Sequence, residues 1–352
     1  MLTRLIITGW IIAFSVLLSA QNAPVTYAAN IFNAVPGTIT VPVTVTGFTS
    51  IGAFSLDLQY DPSIISYVQA TKNAVLTGSF MIGDNVLSNG MHHLVISWFG
   101  PSKSLNDGSS LVDLKFNFLS GTTNLAWMDD GSSCEYADYA FNALNDLPGA
   151  CYYRHGIVTD NKCLDLSVLI QGLYNTTTHK MKSAVANCSG MEDAMADNIQ
   201  VELHNAANYS TVELTRPVVD LSLAGLAKVP VPLSMNSSYY ITVRYRNAVA
   251  ITSSTPVSIN TSGAAYNFTD LSSRAFNNSM VQMSDGKWAM YSGDVNQDGL
   301  VDFSDMILVD NDAVASLVGY LPTDCNGDGL VNNLDMILVG TNAQAFVAQA
   351  HP

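Results

Sequence analysis

Positive charge is what this sequence has least of. Its 352 residues carry 14 Lys and Arg against 29 Asp and Glu, a formal net charge of −15. No Lys or Arg follows Lys287, while nine Asp lie between Asp294 and Asp335. Such a chain is a poor partner for nucleic acid, whose phosphates are neutralised by Lys and Arg. Glutamate is scarce too, limited to Glu135, Glu192, Glu202 and Glu213. None of them sits in the paired-carboxylate setting that glycoside hydrolysis uses. His155 and His204 have no Ser or Cys partner in a nucleophile motif. His92 and His93 precede an apolar strand, where adjacent side chains point to opposite faces and do not share a ligand. Catalytic sites are therefore expected to be absent. Cysteine is limited to five residues, without the paired Cys or His spacing of a zinc site. After residue 20 no apolar run is long enough to span a bilayer, which takes about 20 residues.

The start of the chain has a different character. Arg4 is followed by the apolar stretch Leu5–Leu18 and by Ser19-Ala20, a small-residue cleavage site. This is the pattern of an export signal over residues 1–20, and it predicts a secreted or cell-surface protein. An oxidising destination permits disulfides. Cys134 and Cys151 flank a loop that a bridge would close, and Cys163 and Cys188 would pair in the next segment. Cys325 is then the odd thiol, although spacing alone leaves the connectivity open. Asn175, Asn236 and Asn260 each begin an Asn-x-Ser/Thr triplet, which a chain rich in these residues also produces by chance.

From residue 24 to 160 the pattern has period two. Ile39, Val41, Val43 and Val45 alternate with polar or small residues, as do Phe54, Leu56, Leu58 and Tyr60, and Leu114, Phe116 and Phe118. One buried and one wet face is the mark of an antiparallel sandwich. Trp98, Trp127 and Tyr136 would stack on sugars if exposed, but packing inside a sandwich is the preferred reading. Residues 164–286 alternate again, at Val201 and Leu203 and at Tyr239, Ile241, Val243 and Tyr245. A second sandwich, immunoglobulin-like, is expected there.

The region 290–350 holds one phrase twice, GDVNQDGLVDFSDMILVDN and TDCNGDGLVNNLDMILVGT. Oxygen-bearing side chains fall at loop positions 1, 3, 5, 9 and 12. They are Asp294, Asn296, Asp298, Asp302 and Asp305 in the first copy, and Asp324, Asn326, Asp328, Asn332 and Asp335 in the second. Gly299 and Gly329 take position 6. Leu300 and Leu330 take position 7, where the main-chain carbonyl would be the ligand. This is the spacing of an EF-hand calcium loop, with Asp replacing Glu at the twelfth place. Two Ca²⁺ ions are expected, the first loop binding more tightly because it has Asp302 where the second has Asn332.

Loop and exit helix, duplicated and joined by Gly319-Tyr320-Leu321-Pro322, resemble a type I dockerin module. The phrases PGTITVPVTVTGFTSIGAFSLDLQYDPSIISYVQA, ISWFG and NDGSSLVDLKFNFLSG resemble a cohesin-type jelly-roll domain, related in fold to some carbohydrate-binding modules. VELHNA and SYYITVRYRN resemble β-domains that precede such tails in modular secreted proteins of Bacteroidetes-type bacteria. The resemblances imply a mostly β, non-catalytic, modular protein with a small α module at its C-terminus. Its role would be extracellular protein assembly or surface adhesion, with polysaccharide degradation as one setting. A carbohydrate-binding N-terminal sandwich and an unrecognised polysaccharide hydrolase are the alternatives. The partner would be a protein of the cohesin or dockerin type. Dockerins that grip a cohesin usually carry small hydroxylated residues at positions 10 and 11 and basic exit helices. Here Phe303-Ser304 and Asn333-Leu334 stand at those positions, and the helices have no Lys or Arg. Met306, Ile307 and Val309, repeated as Met336, Ile337 and Val339, are spaced to bury one face. The tail is therefore expected to dock on the preceding β-domain of its own chain.

Overall fold

The structure, a computed structural model, describes residues 21–184 and 195–352. The expected export signal and Cys188 lie outside these residues. The chain is mostly β. Among the described residues the buried apolar side chains form three clusters, spanning Ala23–Val158, Leu164–Met290 and Val295–Val347, the last joined by Val249.

The N-terminal cluster lies between two sheets. One has the order Tyr153–Arg154, Val25–Ala28, Gly37–Thr46, Ser109–Phe118, Ile65–Lys72. The other runs Gly156–Thr159, Thr122–Trp127, Ile51–Tyr60, His92–Lys103, Ser79–Val86, with Glu135–Asp138 also paired to Ile51–Tyr60. The alternation in the sequence faces the gap between them: Val41, Val43, Val45, Leu56, Leu58, Leu114 and Phe116 are all fully buried. Register is fixed because a one-residue slip would turn this apolar set to water.

Among the described residues of the middle domain seven strands follow one hydrogen-bonded path: Ala248–Thr252, Ser238–Tyr245, Met195–Asn205, Val212–Ser222, Leu226–Val231, Lys162–Ser167, Ala264–Asn267, with an eighth, Val257–Ser258, off the path on Ser238–Tyr245. The path folds over where Val212–Ser222 meets Leu226–Val231, a junction held by the single pair Leu221–Ala227. Leu164, Leu166 and Val229 thereby share a core with Val201, Ile241 and Val243. The outermost pairing, Lys162–Ser167 with Ala264–Asn267, is parallel.

The cysteine pairings expected from spacing are not formed. Cys134 and Cys163 carry free thiols, while Cys151 is disulfide-bonded. Neither a Cys134–Cys151 nor a Cys163–Cys188 bridge is therefore present. The reason is placement. Cys134 is buried against strand Ile51–Tyr60, its Sγ accepting from Asp57 N at 3.4 Å. Cys163 belongs to the middle domain, donating to Asp165 Oδ1 at 3.4 Å. Cys325 is free and buried.

The tail has two helices, Phe303–Val314 and Asn333–Gln344, each started by a reciprocal capping box, Asp302 with Asp305 and Asn332 with Asp335. Such a box satisfies two of the main-chain donors that a helix start leaves open. The units interlock symmetrically: Val301 N donates to Val347 O, and Val331 N to Leu317 O, at 2.9 and 3.2 Å. Each loop is thus clasped by the segment that follows the other unit's helix. Val309 and Val339 are fully buried between the helices. Ile307 and Ile337, expected on the buried face, are 44% and 63% exposed. The helix turns about 100° per residue, so residues two positions before Val309 and Val339 point well away from them.

Candidate calcium loops and their seat on the middle domain

Both loops adopt the same turn. Position 4 has positive φ, +60° at Gln297 and +71° at Gly327, and so has position 6, +87° at Gly299 and +81° at Gly329. These left-handed residues curl the chain so that its amides point inward. Asp294 Oδ2 accepts from Gly299 N at 3.2 Å, and Asp324 Oδ2 from Gly329 N at 2.9 Å. Position 12 closes each loop onto its start. Asp305 Oδ1 accepts from Val295 N and Asn296 N, and Asp335 Oδ1 from Asn326 N. Asp298 and Asp328 each accept from the amide of position 7, Leu300 N and Leu330 N, both at 2.9 Å. Leu300 and Leu330 themselves form bridges to Ala348 and Val318. Asp302 and Asn332 are engaged as helix caps.

Positions 1, 5 and 12 of each copy thus accept from amides of their own loop. Among the described residues no group of three or more His, Cys, Asp or Glu side chains is assembled as a metal cluster. The loops' donor set is broader than that, since it includes amide and main-chain oxygens. Asp294 supplies the test of fit. It is only 3% exposed, and its Oδ1 has no hydrogen-bond partner. Burial, with repulsion from Asp305, pushes its carboxyl up to about 6. Burial also raises Asp335. An orphaned, buried carboxylate oxygen amid hard oxygen donors is a fit for Ca²⁺, which takes only oxygen ligands and neutralises such crowding.

The tail is seated on the middle domain by polar groups that sequence patterning did not single out. Arg246 donates through Nη1 to Leu321 O and through Nη2 to Asp324 O, the latter at 3.2 Å. Asn247 Nδ2 donates to Pro322 O and Asp324 O at 2.9 and 3.0 Å. Tyr320 OH donates to Asp197 Oδ1 at 2.7 Å, and the Arg246 guanidinium lies 4.4 Å from the Tyr320 ring centroid. On the other side Asn342 Nδ2 donates to Gln171 Oε1 at 2.7 Å and to Ser292 O at 2.6 Å. One hint in the sequence was the difference at position 4, Gln297 against Gly327.

The residues weighed for other chemistry are placed elsewhere. Trp98, Trp127 and Tyr136 are at most 5% exposed, so they are core and not a sugar-stacking platform. His92 Nδ1 lies 3.0 Å from Asp84, and His93 Nδ1 2.7 Å from Asp57, so the adjacent histidines hold different partners. His155 Nδ1 accepts from Trp127 N, and His204 lies between Glu202 and Tyr209 O.

Residues 22–136 match the family model for the cohesin domain. The chain also resembles solved cohesin structures. It is 20% identical to CaCohA2 from Clostridium acetobutylicum over 40% of this chain and 92% of that one, with a TM-score of 0.31. It is 16% identical to a chain of a Clostridium thermocellum complex of Coh-OlpA with Doc918, over 39% and 99%, at a TM-score of 0.31. For a non-cellulosomal cohesin from Archaeoglobus fulgidus the values are 16%, 38%, 88% and 0.28. None of the curated proteins matches the chain. By the family match the N-terminal domain is cohesin-like, and its two sheets make it a β-sandwich.

Proposed function

We propose that this is an exported, non-catalytic assembly protein. Its cohesin-like domain is a protein-docking module, and its tail is a dockerin-like unit that binds two Ca²⁺ ions and braces against the middle domain. The observation that carries the assembly reading is the cohesin match over residues 22–136. A cohesin from Clostridium thermocellum has been solved in complex with a dockerin, and the same class of partner is assigned here. The calcium reading rests on the repeated loop geometry and on the unpartnered Asp294 Oδ1. Bound calcium would add a divalent charge at the carboxylates of each loop. The loops' own residues then hold the turn, cap the exit helix and keep position 12 against position 1.

Calcium is tested by calorimetry on metal-stripped full-length protein, with two bound ions expected. No heat of binding would refute the tail reading. Assembly is tested by immobilising the full chain and passing exported proteins of the producing organism over it, in calcium and in EDTA. Capture of a dockerin-bearing protein is expected. Release of sugar from polysaccharides by the purified chain, abolished by one Asp or Glu substitution, would overturn the non-catalytic reading.

A further inference from the structure

The two loops are near copies in sequence but not in setting. In the first, Asn296, Gln297 and Asp298 are exposed, whereas in the second Asn326 is half-buried and Gly327 buried. The turn itself accepts a side chain at position 4, as Gln297 shows at φ +60°. Gly327 is glycine for another reason. A Cβ there would collide with Leu173 Cδ2 and lie 3.1 Å from Ala184 Cβ, both in the middle domain. The middle domain also aims two cations at this loop. Arg246 holds the carbonyls of Leu321 and Asp324, and Lys182 Nζ donates to Asn326 Oδ1 at 3.0 Å. Among the described residues no Lys or Arg donates to the first loop, whose hydrogen bonds are internal to the tail.

We propose that calcium occupancy of the second loop and docking of the tail on the middle domain are one coupled equilibrium, from which the first loop stands apart. This rests on the reading that the tail binds calcium. Arg246 fixes the chain as it enters the second loop, so docking pre-forms the turn that carries Asp324 and Asn326. Coupling is reciprocal, so an ion in that loop tightens docking by the same factor. Lys182 acts in the opposite sense. Its ammonium occupies Asn326 Oδ1 and repels a divalent ion at close range, so calcium must displace it. The second loop is then a sensor whose set point the middle domain adjusts, while the first serves the tail's own fold.

The test uses full-length, calcium-stripped protein titrated with CaCl₂ by calorimetry, the sites being assigned with Asp298→Ala and Asp328→Ala. Gly327→Gln copies the first loop's own position 4 and disturbs only the seat. It should weaken the Asp328-dependent site on the order of tenfold. The Asp298-dependent site should stay within about twofold, as expected of independent sites. Lys182→Met should tighten the Asp328-dependent site. Hydrogen exchange reads the reverse direction: calcium should slow exchange in residues 171–184, in Asp298→Ala but not in Asp328→Ala. If Gly327→Gln weakens both sites equally or neither, the coupling is overturned while calcium binding stands. If the wild-type protein takes up no calcium, both are overturned.

Discussion

Arg246→Ala tests the seat of the tail most directly. The guanidinium side chain is 14% exposed and lies 3.3 Å from Asp197, whose carboxylate is 1% exposed. Removing one partner of a buried ion pair typically costs about 3–5 kcal/mol, because the other charge is left uncompensated. Asp197 keeps three donors, Tyr245 OH, Tyr320 OH and Asn198 N. That argues for the lower end, about 3 kcal/mol, even though the carbonyls of Leu321 and Asp324 also lose a charged donor. The assay is urea unfolding of the full chain followed by tryptophan fluorescence, in a cycle with Asp197→Asn. The double variant should be less damaged than the sum of the singles by more than about 1 kcal/mol, since the two side chains touch. A single-variant loss below about 1 kcal/mol, or strict additivity, would show that the pair is solvated and refute the buried-seat argument.

Desolvation of the His155 ring holds it below the ordinary histidine range, against the pull of Asp220 and with help from Arg154. The unfolded chain then binds the proton better, so stability is full above the unfolded value of 6.5 and falls as pH drops toward the lower folded value. Thermal melts from pH 7 to pH 5 should show this loss, reduced in His155→Gln. Phe116→Ala, at a fully buried site between the N-terminal sheets, should cost about 3–5 kcal/mol in denaturant melts. Ile307→Lys with Ile337→Lys should change tail stability by no more than about 0.5 kcal/mol per site. Val339→Ala, by contrast, should lower the calcium-loaded melting temperature measurably.

The N-terminal sandwich was legible because its cause is local and repetitive. Val41, Val43 and Val45 alternate with polar neighbours, and only a strand with one buried face reads that way. The two loop-and-helix units were legible because each loop's pattern lies within twelve positions and occurs twice, each copy leading into a capped helix. The cysteines were not, because pairing depends on which strands lie side by side. Cys134 rests against Asp57, 77 positions away, and no local spacing encodes that. The single folded path of the middle domain was likewise hidden, since its closing pair joins Lys162–Ser167 to strand Ala264–Asn267 across most of the domain.

The seat of the tail shows how far local reading reaches. Lys182 and Asn326 are 144 positions apart, and Arg246 and Leu321 are 75 apart. Neither basic residue has a motif, and each would pass for a solvated surface charge. The expectation of docking came from the apolar spacing of the exit helices, of which Val309 and Val339 are buried in one cluster with Val249 of the middle domain. Ile307 and Ile337 remain exposed, while main-chain carbonyls of the inter-loop linker make polar contacts that this spacing did not indicate. Hydrophobic periodicity reports which side chains leave water. It is silent on carbonyls, which every residue carries whatever its side chain. A seat built on Leu321 O, Pro322 O and Asp324 O leaves its trace in sequence where a side chain is forbidden, at Gly327 in the loop and at Gly172 opposite it, where a Cβ would collide with Cys325 O. Duplication therefore made two loops alike, and packing against one neighbour made them physically different.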